Sequence, residues 1–304
     1  MPSLEVNLAS LRLPNPTVLA SGILGTSASL ARRVEEAGAG AITTKTITLE
    51  PRKGYENPTF VVLEHGFLNA IGLANPGVDA FCSELRLMAE TLKVPVVLSV
   101  GGGQLEEFVG VALKGAGCGA DAIELNVSCP HVKGMGAEVG ESPRLVAEIV
   151  RAVRDATNLP VFVKLSPHHD YLKVVSAALE AGASGFTAIN TVRGMAIDIY
   201  ARRPILSNRF GGYSGPAIRP IAVKIIYDIY EMFSDTPIIG VGGVDSWQSA
   251  VEMLLAGATA VGVGSGLALK DLALFREINE GISEYLEREG FGSVREIVGI
   301  AHRS

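Results

Sequence analysis

Three cysteines, no basic cluster and no long apolar run set the first limits on this chain. Cys82, Cys118 and Cys129 are odd in number and widely spaced. That pattern predicts no disulfide framework, fits a reducing cytoplasm, and offers no zinc or iron–sulfur ligand set from this chain. No stretch of roughly 18 apolar residues is present to cross a bilayer. Met1–Ser10 lack the basic and apolar regions of a signal peptide. Lys and Arg form no run and the formal net charge is −6, so nucleic acid is not expected as the main partner. No Pro/Ser-rich linker divides the chain. One cytoplasmic domain over residues 1–304, with no membrane contact, is therefore expected.

Hydrophobic residues make up 48% of the 304 positions, which is enough for one large core. Eight short apolar runs punctuate the chain: Thr17–Ala20, Ala41–Thr44, Pro95–Val100, Asp121–Asn126, Pro160–Leu165, Gly185–Asn190, Pro237–Val241 and Ala258–Gly262. They do not alternate polar with apolar, as befits strands covered on both faces. Amphipathic stretches lie between them, among them Ser27–Ala37, Ser142–Thr157, Ala217–Phe233 and Ser246–Leu255. In the second of these, Leu145, Val146, Ile149, Val150 and Val153 form a helical stripe. Strands alternating with crossover helices demand a parallel sheet, and eight repeats predict a closed (β/α)8 TIM barrel. AGAG at Ala37–Gly40, AGAS at Ala181–Ser184, AGAT at Ala256–Thr259 and the looser KGAG at Lys114–Gly117 read as recurrent turns from helix to strand. Leu4–Leu13 reads as an N-terminal hairpin, and Ser293–Glu296 as the capping box of a final helix. Two long loops, Cys129–Gly140 and Thr191–Gly215, follow strand C-termini, where barrels build their active sites; they read as lid insertions.

The strand ends carry small residues and single polar side chains. Ala20, Ser21 and Gly22 follow the first strand, Lys45 and Thr46 the second, and Asn126 and Cys129 the fourth. Lys164 lies on the fifth, Asn190 and Thr191 end the sixth, Gly242 and Gly243 the seventh, and Gly264 and Ser265 the eighth. Unpaired buried charge is costly, so lysines and asparagines at a barrel mouth point to a ligand. Glycines ending the last two strands suit a phosphate, because bare backbone N–H groups converge there. The plainer reading is tight turns alone. VGVGSG lacks a following βαβ unit and is not a dinucleotide fingerprint. Lys164 either snorkels outward or presents an ammonium to negative charge in the site. Asn69 matches the amides and carbonyls of a planar heterocycle, whereas Asn75, in an NPG turn, reads as turn chemistry. His168, His169 and His302 read as solvated or terminal, His65 is ambiguous, and His131 neighbours Cys129. No metal site is expected.

Together, ASGILGT (Ala20–Thr26), TKT (Thr44–Thr46), LNAIGLANPG (Leu68–Gly77), ELNVSCPHVKGMG (Glu124–Gly136), VKLSP (Val163–Pro167), INT (Ile189–Thr191), GGYSGPAIRP (Gly211–Pro220), IIGVGGV (Ile238–Val244) and VGVGSG (Val261–Gly266) resemble the class 1 dihydroorotate dehydrogenases over nearly the whole chain. The resemblance implies FMN across the barrel mouth, its phosphate at Gly242, Gly243, Gly264 and Ser265 with Gly215 nearby. Ala20, Ser21, Gly22, Lys45, Thr46 and Asn126 would line the isoalloxazine, and Lys164 would face its N1–C2 edge, where a cation stabilises the anionic reduced flavin. Orotate would be held by Lys45, Asn69, Ile71, Gly72, Leu73, Asn126, Asn190 and Thr191. Cys129 would take a proton from C5 of dihydroorotate as C6 gives hydride to the flavin, with Lys45 and Lys164 as the other catalytic groups.

The TITLEPRKGYENP and SGPAIRP–AVKIIYDIY segments are similar to the B subtype. That implies a partner subunit carrying FAD and a [2Fe–2S] cluster, NAD+ as acceptor, a homodimer core within a heterotetramer, and a place in pyrimidine (UMP) biosynthesis. His131 departs from the family, many of whose members carry Asn. The competing readings are a stand-alone, fumarate-reducing A-subtype enzyme, a dihydropyrimidine dehydrogenase-like barrel, and a flavin-binding scaffold without turnover.

Overall fold

The computed structural model describes residues 1–127, 139–167 and 170–303. Eight parallel strands close into a barrel: β1 (Thr17–Leu19), β2 (Ala41–Thr43), β3 (Val96–Val100), β4 (Ala122–Asn126), β5 (Val161–Leu165), β6 (Gly185–Ala188), β7 (Ile238–Val241) and β8 (Ala260–Val263). Each pairs with the next in sequence, and β8 pairs with β1 through Gly262 and Val18. All eight predicted strands are present. Several bounds shift by one residue, and two shift by two. β6 ends at Ala188, although the Asn190 amide still donates to Leu165 on β5. β8 begins at Ala260, because the Ala258 amide donates back to Met253 and completes the preceding turn.

Around the barrel run α1 (Ala28–Glu36), α2 (Val78–Thr91), α3 (Leu105–Gly117), α4 (Pro143–Ala156), α5 (Tyr171–Glu180), α6 (Arg219–Met232), α7 (Trp247–Ala256) and α8 (Leu274–Glu289). The Ser142 hydroxyl caps α4 by accepting from the Leu145 amide, Pro143 occupies its first turn, and Val146, Ile149, Val150 and Val153 face inward. Ser27 caps α1 likewise, and Ser246 with Ser249 forms a reciprocal capping box on α7. The glycines of AGAG, AGAS and AGAT take left-handed backbone, with φ of 108°, 95° and 120° at Gly38, Gly182 and Gly257. KGAG behaves differently: it lies inside α3, and Gly119 makes that turn instead.

Two further expectations are corrected. Ser293–Glu296 does not open a final helix. The Ser293 hydroxyl meets Glu296 Oε1 at 3.1 Å, but the segment makes one 3₁₀ turn and stops where Val298 leaves the helical region, with ψ of 121°. Cys82 and Cys118 are not separate thiols: a disulfide joins them, with Cα atoms 5.6 Å apart. They sit 36 residues apart in sequence, but α2 and α3 are neighbours in the helical ring, which brings the two side chains together. The reducing environment inferred from an unpaired cysteine pattern loses that support.

The N-terminal hairpin pairs Val6–Leu8 with Leu11–Leu13 ahead of β1, and its buried Val6, Leu8 and Leu13 join the main core. More consequential is a four-stranded antiparallel sheet built from two insertions. After β2 comes the hairpin Phe60–Leu63 and Gly66–Asn69; after β6 come Val192–Gly194 and Gly211–Ser214. Gly211–Ser214 pairs with Gly66–Asn69 through Tyr213 and Leu68, so the two insertions become one sheet. Leu68, Ala70 and Leu206 give it a small core of its own. The expected loop Thr191–Gly215 is thus half of a sheet. Among the described residues, no helix is long and apolar enough to cross a membrane.

Candidate active site

The C-terminal ends of the barrel strands and the added sheet enclose a cavity of about 500 Å³, within the range of small-molecule and cofactor sites. On the barrel side, inward positions two residues apart on neighbouring strands carry polar groups. Lys164, 6% exposed, brings its Nζ to 3.9 Å from Oε1 of Glu124, which is 2% exposed. Ser99 Oγ donates to Glu124 Oε1 and Thr187 Oγ1 to Oε2, both at 2.9 Å. A carboxylate so partnered tolerates burial. From Ser99 the network climbs: Thr46 Oγ1 lies 3.0 Å from Ser99 Oγ and 3.2 Å from Ser21 Oγ, and it accepts from Asn126 Nδ2 at 3.0 Å. Asn190 Nδ2 donates to Asn126 Oδ1 at 3.2 Å, and the Thr191 amide donates to Asn190 Oδ1 at 2.8 Å.

Lys45 lines the same cavity half-buried. Burial, and then repulsion from Lys164, hold its pKa below the usual lysine range. Such a cation gains from an anion placed between the two ammonium groups.

Gly242, Gly243, Gly264 and Ser265 form the opposite wall. Gly243 has φ of 78°, and a Cβ there would sit 2.8 Å from that of Arg219 and 2.9 Å from the Gly215 carbonyl. Arg219 is held in turn, its Nε 3.0 Å from Glu252 and its Nη1 3.5 Å from Asp245. Gly264 differs: a Cβ would meet only that of Ala20, at 3.5 Å, so a side chain there would grow into the cavity. Ala20, Ser21 and Gly22 continue this wall. Gly215 lies behind Gly243 and does not itself line the space.

The added sheet closes the top. Asn69, at the end of its strand, faces the cavity and donates from Nδ2 to the Gly212 carbonyl at 3.4 Å. Ile71, Gly72 and Leu73 follow it, with left-handed φ of 73° at Gly72 and 55° at Leu73. Asn75 braces that turn, its Nδ2 donating to the Leu73 carbonyl at 2.7 Å, and does not reach the cavity. His65 is exposed beside Glu64, and His302 stacks on Tyr227 far along the chain.

Sequence reasoning passed over several cavity residues. Tyr55, Phe67, Asn208 and Phe210 come from the insertions, with Arg193 stacked 4.3 Å over the Phe210 ring; no local signal marks them. Glu124 did carry one, being a charge in the middle of an apolar strand and two residues from Asn126. Cys129 and His131, with most of the predicted lid, lie outside the described residues, as do His168 and His169. Among the described residues, no His/Cys/Asp/Glu cluster could hold a metal ion.

A family model described as dihydroorotate dehydrogenase matches residues 3–286. A protein of Pyrococcus abyssi named dihydroorotate dehydrogenase B (NAD(+)), catalytic subunit, is 52% identical over 299 residues, spanning 98% of this chain and 99% of its own. Proteins with the same name from Pyrococcus furiosus and Methanosarcina acetivorans are 51% and 48% identical, over 99% and 97% of this chain and 99% and 95% of theirs.

Proposed function

The chain belongs to the dihydroorotate dehydrogenase family, and from that premise we propose that it is the catalytic subunit of an NAD+-linked enzyme. It oxidises dihydroorotate to orotate in cytoplasmic pyrimidine biosynthesis, as one catalytic domain spanning 1–304. The observation that carries this reading is the meeting of Lys45, Lys164, Asn126 and Asn190 with two glycine strand ends in one cavity. A two-electron oxidation that yields a planar anionic heterocycle is served by cationic and amide partners beside a bound acceptor.

The residues fit FMN. The open face of Gly264 leaves room that a side chain would take, and Gly242, Gly243 and Ser265 offer backbone and hydroxyl donors for a phosphate. Ala20, Ser21, Gly22, Thr46 and Asn126 would line the ring, and Lys164 would place its charge at the ring edge where the reduced form's negative charge collects. Bound there, FMN supplies the two-electron acceptor. Lys45, Asn69, Ile71–Leu73, Asn190 and Thr191 would orient the substrate, the Lys45 ammonium pairing with its carboxylate. Cys129 would remove the C5 proton from the face opposite the ring, where acceptor and base do not compete for space.

The relatives' names specify a catalytic subunit, which supports a separate electron-transfer subunit; by resemblance it carries FAD and [2Fe–2S] and joins a dimer of this chain. An anaerobic visible spectrum tests the reading. The purified chain should be yellow, bleach with dihydroorotate, and stay bleached when NAD+ is added. In Cys129→Ala the flavin should remain bound while bleaching slows by on the order of 100-fold. A colourless protein, or a band indifferent to dihydroorotate, would refute the assignment.

A further inference from the structure

Ionised carboxylates are costly inside a barrel, where each loses several kcal/mol of hydration unless it is paired and hydrogen-bonded. Glu124 sits there all the same, 2% exposed on β4, below the cavity and two residues from Asn126. We propose that Glu124 is a positioning residue: its charge holds Lys164 under the cavity, and its acceptor-only oxygens orient the donor chain that ends at the two asparagines. The inference rests on the functional reading above.

The orientation follows from valence. An ionised carboxylate accepts and cannot donate, so Ser99 and Thr187 both point their hydroxyl protons at Glu124. With its proton committed, Ser99 Oγ can only accept from Thr46, 3.0 Å away. Thr46 Oγ1 then serves as acceptor for Asn126 Nδ2 and for the Ser21 hydroxyl. That turns Asn126 Oδ1 toward Asn190 Nδ2, and Asn190 Oδ1 toward the Thr191 amide. The Thr191 N–H can only donate and fixes Asn190 from the far end, while the buried charge fixes Thr46 and Asn126 from the near end in the same sense. A neutral group at position 124 imposes no such direction.

The charge acts on Lys164 as well. Two lysines line the cavity wall, and Glu124 is the buried carboxylate facing Lys164, 3.9 Å from its Nζ. With it present, the two cations are partly balanced; without it, the wall is more positive. A more positive wall favours an electron-rich ligand over its oxidised form.

Redox titration of the bound flavin in wild type, Glu124→Gln and Glu124→Asp tests the idea with a readout other than turnover. Glu124→Gln should favour the reduced flavin by about tenfold or more, which for a two-electron couple is a rise of about 30 mV. Glu124→Asp, which keeps the charge, should stay within about threefold of wild type. An unmoved potential in Glu124→Gln would overturn the proposal. So would an equal shift in Glu124→Asp, which would mean that packing and not charge matters. Should Glu124→Gln purify without flavin while Glu124→Asp retains it, the charge role stands; loss from both overturns it. A wild type without flavin is a separate outcome and refutes the functional reading itself.

Discussion

The floor and the roof of the cavity are built on opposite principles. The floor comes from barrel strands: Ser99, Glu124, Lys164 and Thr187 are buried, and each is tied to a neighbour across one or two strands. The roof is an antiparallel sheet sewn from two insertions, with Phe60 and Val62 exposed on one strand and Met195, Ile197, Ile199 and Tyr200 exposed on the segment beyond another. That segment forms a short two-stranded sheet at Ile197–Asp198 and Arg203–Pro204. Rigid elements locked by packing hold charges where position matters. Inserted segments, with fewer buried contacts, supply groups whose role is recognition. The difference predicts that damage to the floor is felt in stability, and damage to the roof in affinity.

The largest effect should come from Lys164→Met. It leaves Glu124 as a buried carboxylate without its cation, so urea unfolding of the flavin-free protein should lose about 3–5 kcal/mol. A loss below about 1 kcal/mol would mean that the pair is not coupled. Next, Cys82→Ser opens a 36-residue separation and should cost about 3–4 kcal/mol by the chain-entropy estimate. Because α2 and α3 lie outside both floor and roof, its flavin spectrum should not change; a changed spectrum would show that the outer helices reach the site. On the roof, Asn69→Ala removes one directional amide. Steady-state kinetics should give a dihydroorotate KM about tenfold higher, from the roughly 1.4 kcal/mol of one hydrogen bond, with kcat nearly unchanged. A fall in kcat alone would erase the distinction between floor and roof.

The smallest effect concerns Lys45, whose lowered pKa marks a cation held at a cost by burial and by its neighbour Lys164. A group with a depressed ammonium pKa binds fewer protons folded than unfolded, so stability rises with pH across that interval. Lys45→Met should therefore raise the melting temperature of the flavin-free protein at pH 7. The gap from wild type should close as pH approaches the ordinary lysine value of about 10.4. A gap that widened with pH would reverse the sign of the assigned cause.

Legibility follows local pattern and only partly the line between floor and roof: Asn69 on the roof stood out, while Ser99, Glu124 and Thr187 on the floor did not. Residues set into barrel strands or their immediate ends, such as Lys45, Asn126, Lys164 and Asn190, could be picked out because a polar side chain closing an apolar run is costly to bury unless it meets a partner or a ligand. Tyr55, Arg193 and Phe210 could not, since their segments have no periodicity until two insertions far apart in sequence pair with each other. Cys82 and Cys118 failed for a related reason: spacing along the chain says nothing about which helices will be neighbours in a ring.

By itself, then, the sequence determined the eight covered strands, the helices between them and most of the polar groups at the mouth, because burial on both faces and helical periodicity are local properties that each segment expresses alone. Tertiary structure decided the rest: the sheet that roofs the cavity, the disulfide between α2 and α3, and the pairing of Glu124 with Lys164. Each of these joins residues whose proximity depends on the path of the whole chain, and no single segment carries that information.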